Sequence, residues 1–299
     1  MNPRFFLSSS FLTTSVALVA MLTLANCKMS DLDKGKTHLS PDTEAKALAA
    51  LREGLQAKGE DQFWISIHAA EGLTLAGHGD EVITFLTPKL VTEKDAQRRC
   101  GVARELVRAG DRSQVSVLKE VQTSADPHGH IHAAESLYKV NEVGDPETMR
   151  RNFQSEGDIK LRLMAAGALA RQGDLDAIAY IRKTLLEDDP EGLRISSWLL
   201  GRIGNAKDIE PLRSRLEAAP DPLIRAYIEH AMAALGDPEG LAALSRNLES
   251  DDKDIRTYAA TFAGDAKAAF TQPKLEKLLD DSHLDARVRA AQTLLQLSQ

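Results

Sequence analysis

The residues with the clearest chemical potential are three histidines. His128, His130 and His132 alternate in Asp126-Pro127-His128-Gly129-His130-Ile131-His132, and Glu135 follows one helical turn later. Imidazole and carboxylate are ligands for zinc or iron, and His132 and Glu135 share one face if that stretch is helical. Pro127 and Gly129 place the first two histidines in a loop, so a structural or capping role is expected for the group. Cys100 would need a lowered pKa to act as a nucleophile. It stands beside Arg99 in an apolar-spaced stretch with no local histidine or acid, and is expected as a packed, reduced thiol. There is no serine nucleophile elbow, phosphate loop, dinucleotide glycine motif or paired-cysteine metal site in the chain. The expectation is a non-enzymatic protein without a cofactor. A metal-dependent enzyme, or an enzyme subunit using the His132 region, is the alternative.

Arginine carries the regular spacing. Leu161-Arg162, Leu193-Arg194, Ile224-Arg225, Ile255-Arg256 and Val288-Arg289 recur every 31 to 33 residues. Asp158, Asp221, Asp252 and Asp285 stand four residues before four of them, and Pro190 takes that place before the fifth. An acid there suits a helix start, where it meets free backbone N–H groups and the positive dipole end. These arginines are expected to form a structural ladder of pairs between neighbouring repeats.

The elements behind this spacing are short helices. Glycine followed by Asp or Asn recurs from Gly79-Asp80 through Gly110, Gly144, Gly173, Gly204 and Gly236 to Gly264-Asp265. Glycine ends one helix in a left-handed turn and the next residue caps the following helix. Small pairs, Ala165-Ala166, Ser196-Ser197, Ala259-Ala260 and Ala290-Ala291, follow four of the five arginines within a turn, where they let helices approach closely. Two helices per unit bury their apolar faces only when stacked.

The pattern D-x-x-[LIV]-R-x-x-A-A ending in Gly-Asp resembles the short HEAT-like repeats of phycobilisome lyases and many bacterial proteins. The resemblance covers most of residues 60–299 and implies an all-α, right-handed α-solenoid of about seven to eight two-helix repeats. It also implies that second helices line the concave side, where a protein partner would dock. Arg182, Arg213 and Arg246 fall at matching places in three second helices, and Lys183 and Arg215 broaden that basic row. The row is expected to receive an acidic protein or an anionic glycan, unless Glu187, Glu210 and Glu217 make it a solvated face.

Residues 1–26 carry one charge, Arg4, and a short apolar stretch, as a secretory signal peptide does. Leu24-Ala25-Asn26-Cys27 resembles the bacterial lipobox, with Asn26 departing from its usual small residue. Lipidation of Cys27 would anchor the chain to a membrane of the bacterial cell envelope. Lys28 in place of aspartate implies the outer membrane. Residues 27–41 form the expected tether, 42–58 an N-terminal capping helix, and 59–299 the repeat solenoid. Net charge is −7, which argues against nucleic acid as a partner. The functional expectation is an envelope-anchored scaffold or adaptor.

Overall fold

Aspartate side chains cap half of the α-helices among the described residues. In the computed structural model, which describes residues 37–219 and 221–299, the side chains of Asp145, Asp174, Asp189, Asp221 and Asp237 each accept from a backbone N–H three residues on. Each such cap stabilises its helix by about 0.5–2 kcal/mol. Gly110, Gly144, Gly173 and Gly236 take the expected left-handed turn. Gly264 does not. It lies inside a helix that runs on to Asp265, and Lys267 makes the turn instead with φ 51°. Signal peptide, Cys27 and most of the tether fall outside the described residues.

Helix α1 (Pro41–Leu55) precedes three pairs: α2 and α3 (Phe63–Leu75, Gly79–Thr92), α4 and α5 (Ala96–Arg108, Val115–Thr123), α6 and α7 (His130–Lys139, Pro146–Gln154). Four more follow: α8 and α9 (Ile159–Arg171, Leu175–Leu185), α10 and α11 (Pro190–Ile203, Ile209–Ser214), α12 and α13 (Pro222–Ala234, Pro238–Asn247), α14 and α15 (Lys253–Asp265, Gln272–Leu278). The chain ends on α16 (Leu284–Ser298). Among the described residues there is no strand. The protein is an all-α solenoid of two-helix repeats.

The solenoid closes on itself. The first helices pack side by side from α2 through α16, and α16 packs in turn against both α1 and α2. The helix expected to cap an open end at 42–58 therefore does something else: α1 supplies the second helix that α16 lacks, completing an eighth unit. Gly54 permits this approach, since a Cβ there would stand 2.5 Å from Val288 Cγ2 and 3.0 Å from Ala69 Cβ. The seam is apolar at its centre, with Leu51, Val288 and Leu294 fully buried. Thr37 N–H donates to the Leu297 carbonyl at 3.0 Å, Lys46 pairs with Asp280 at 2.6 Å, and Arg287 with Glu53 at 2.5 Å.

The first helices form the inner layer and the second helices the outer one, the reverse of the expected arrangement. An inner ring has the smaller circumference, so its helices must pack more tightly than those outside. That is where the small residues stand: Ala165, Ala166, Ser196, Ser197, Ala259, Ala260, Ala290 and Ala291 are all fully buried. At Gly201 a Cβ would come within 3.1 Å of the Ala231 backbone on the adjacent inner helix.

Candidate functional site

The inner ring encloses a cavity of about 830 Å³ walled by all eight first helices. Because each unit enters its first helix the same way, these helices run parallel and present their residues in tiers. The tier at their C-terminal ends holds Arg108, Lys139, Arg171 and Arg202, spaced 31, 32 and 31 residues apart. Continuing at the same period, it passes Ala234, Asp265 and Gln296, and Leu75 completes it on α2. Seven lining residues are Lys or Arg and five are Asp or Glu, in a chain that is acidic as a whole.

The carboxylates in this wall are shared between cations. Glu71 accepts from Arg108 at 2.8 Å and from Arg289 at 3.0 Å. Burial alone would raise the Glu71 carboxyl, but the two guanidiniums hold it well below the usual carboxylate range. Lys139 pairs with Glu135 at 2.6 Å. Burial would raise Glu135 too, and Lys139 with Arg104 brings it down to about 2. Burial draws Lys139 down to about 8 in spite of Glu135. Asp265 meets Arg202 at 2.6 Å, yet burial still raises its carboxyl.

His68 faces the same space. Its Nδ1 lies 2.8 Å from Asp285 Oδ1, bridging α2 and α16 beside the Arg289–Glu71 contact. Burial, then the Arg289 charge, lowers its pKa against the upward pull of Asp285.

The three expected histidines do not converge. His128 Nε2 lies 2.8 Å from Asp95 Oδ2, His130 Nε2 lies 2.9 Å from the Ser124 carbonyl, and His132 stacks on Trp64 at 5.2 Å. Glu135 is engaged by Lys139. Among the described residues no three His, Cys, Asp or Glu side chains gather as metal ligands would. Cys100 is fully buried, and burial pushes its thiol up to about 12.

The arginine ladder is uneven. Arg256 makes a two-pronged pair with Asp281 of the next unit at 2.6 and 3.0 Å, and Arg289 reaches Glu71 across the seam. The others stay largely within their own unit. Arg162 covers the Tyr180 ring at 4.7 Å, Arg225 pairs with Glu229 at 3.2 Å, and Arg194 pairs with Glu191 at 2.5 Å. The preceding aspartates are mostly occupied as helix caps, which takes them out of reach as ladder partners.

Arg182, Arg213 and Arg246 sit on α9, α11 and α13, in the outer layer and away from the cavity. Arg182 holds Asp208 at 2.7 Å, while Arg213 holds Asp237 at 2.5 Å and also Glu239. Lys183 pairs with Glu187 at 3.5 Å and Arg215 with Asp188 at 3.0 Å. The basic row is thus largely neutralised and lies on the convex side. The inner tier was missed, although its signal is plain: Arg108, Arg171 and Arg202 each stand two residues before Gly110, Gly173 and Gly204.

Residues 149–233 and 209–296 each match the HEAT repeats family. No curated protein sequence matches the chain. Human deoxyhypusine hydroxylase in complex with glycerol is similar at 17% identity over 86% of this chain and 96% of that one, with a TM-score of 0.41. An engineered protein is similar at 19% identity over 86% and 97%, with a TM-score of 0.25. The matched repeats, the period of 31 to 33 residues and the paired helices make this chain a HEAT-like repeat protein.

Proposed function

We propose that the chain is a non-enzymatic binding scaffold, tethered to a bacterial envelope by lipid on Cys27, whose central cavity is its recognition site. The observation that carries this reading is the closed inner ring, which surrounds a polar, cation-rich cavity of about 830 Å³. That volume suits a small ligand or a protruding segment, and a folded domain does not fit it. A protein partner would therefore insert an acidic segment rather than lie along an open groove. The Leu24-Ala25-Asn26-Cys27 sequence and the apolar stretch before it support the lipid tether, and Lys28 supports the outer membrane. The metal-dependent alternative has less support, since each histidine of its candidate group turns to a different neighbour.

Photo-crosslinking from two positions tests the site. A photoreactive residue at Thr261, on the cavity wall, should capture a ligand or partner segment in intact envelopes. The same residue at Arg246, on the outer layer, should not. Adducts at 246 without adducts at 261 would move recognition to the convex face.

A further inference from the structure

Three cations gather around two aromatic rings on one wall of the cavity. Tyr138 and Trp198, from α6 and α10, have ring centroids 5.3 Å apart. Arg171, from α8 between them, lies over Tyr138 at 5.0 Å, while Lys139 and Arg202 lie over Trp198 at 5.5 and 4.4 Å. Glu135 and Asp265 answer Lys139 and Arg202. No carboxylate among the described residues answers Arg171, whose Nη1 donates only to the Tyr138 carbonyl at 2.9 Å. Arg171 is exposed and lines the cavity. Tyr138, under that guanidinium, also lines the cavity, and its hydroxyl is buried with no hydrogen-bond partner, which is costly for a polar group.

A plainer account of the tier is that cations offset the negative dipole at helix C-termini. That account predicts cations all round the ring. Only four of the eight first helices carry one, on consecutive units, and α14 carries Asp265, the wrong sign for its dipole. On the facing wall the charges are paired within the protein, Asp254 with Lys253, Asp265 with Arg202, Asp285 with His68 and Arg289 with Glu71. There α14 and α16 contribute Thr257, Thr261, Gln292 and Gln296, neutral donors and acceptors suited to hydroxyl groups. A ligand meeting both walls must carry an anion at one end and hydroxyls at the other.

We propose that the cavity binds an acidic sugar, its carboxylate held by the Arg171 guanidinium beside Tyr138 and its hydroxyls facing the Thr and Gln side chains of α14 and α16. A planar carboxylate matches the guanidinium fork, and the Tyr138 hydroxyl gains the acceptor it lacks. This rests on the cavity being the recognition site. Crosslinks at Thr261 combined with indifference to Arg171 would leave that reading standing and overturn this one.

Titration calorimetry on the full chain in detergent, with D-glucuronate, D-glucose and inorganic phosphate as probes, tests the assignment. Glucuronate should saturate one site per chain, and glucose should not. Arg171→Gln should weaken glucuronate about tenfold or more, the loss of one charged hydrogen-bonding pair. Arg246→Gln should leave it unchanged. Tyr138→Phe should also weaken it without lowering the melting temperature, because the hydroxyl it removes has no partner in the unliganded protein. This second variant decides the matter if Arg171→Gln melts early. The proposal is overturned if glucuronate fails to saturate or glucose binds as tightly. Phosphate binding more tightly than glucuronate, or both wall variants binding glucuronate like the native chain, would also overturn it.

Discussion

Arg289 on the last helix donates to Glu71 on α2 across 3.0 Å, joining residues 218 positions apart, and Arg108 holds the same carboxylate at 2.8 Å. One carboxylate thus ties the end of the chain to its second and fourth helices. Both partners of the seam pair are mostly sheltered, with side-chain exposures of 10% and 17%.

Breaking that tie should loosen the ring. Arg289→Met leaves Glu71 with Arg108 alone and should cost about 1–3 kcal/mol in urea unfolding, less than an isolated buried pair because one cation remains. A double-mutant cycle with Glu71→Gln isolates the contact. Strict additivity would show that the Arg289–Glu71 contact adds nothing to the seam beyond its apolar core and its other polar ties.

The local features of this fold were legible because they are set by neighbours in sequence. Asp221 and Asp237 cap their helices through backbone groups three residues away, and that arithmetic is visible without a structure. Closure was not legible. It depends on the small rotation each unit adds to the last, summed over eight units, and no local pattern records the total. The inner and outer layers were exchanged for a related reason: both helices of each unit are amphipathic, so periodicity does not say which one faces inward. Ala259-Ala260 and Ser196-Ser197 held the answer, since close-packed helices belong on the inside of a ring. Arg182 and Arg213 share the period of the Arg108–Lys139–Arg171–Arg202 tier, so period alone does not tell an outer row of cations from an inner one.

Acid should weaken the fold through His230. The imidazole is fully buried on α12, with Asn247 Nδ2 3.1 Å from its Nε2, and burial lowers its pKa to about 3. The native state keeps it neutral while the unfolded chain protonates it near 6.5. Its contribution is therefore intact above pH 6.5 and lost as pH falls from 6.5 toward 3. The slope is about 1.4 kcal/mol per pH unit for one proton. His230→Met should make the stability curve shallower between pH 6 and 4.5, above the range of the depressed carboxylates Glu71 and Glu135, leaving the slope that the other lowered imidazoles, His68 and His132, contribute. An unchanged slope in the mutant would assign acid sensitivity to other groups.

The tether makes its own prediction. Cys27→Ser should abolish labelling by a fatty-acid analogue and leave the signal peptide uncleaved by the lipoprotein route. Equal labelling of mutant and native chains, or none in either, removes the lipid anchor from the proposed function.

The outer arginines should separate into two kinds. Arg213 on α11 holds Asp237, the cap of α13 in the next unit, at 2.5 Å, and Asp237 is nearly inaccessible to water. Reversing the charge with Arg213→Glu sets two carboxylates against each other there and weakens the cap that Asp237 provides to Gly240 N–H at 2.8 Å. The expected cost is about 1–2 kcal/mol, limited because Arg213 itself is partly solvated. Arg246 on α13 makes no ion pair among the described residues, so Arg246→Glu should change stability by no more than about 0.5 kcal/mol. Neither reversal touches the cavity, so neither should alter glucuronate binding in chains that remain folded. Guanidinium unfolding of the two variants makes the comparison. Equal stability would mean that Arg213 is solvated rather than tying two units together, and lost glucuronate binding in a folded variant would return recognition to the convex row.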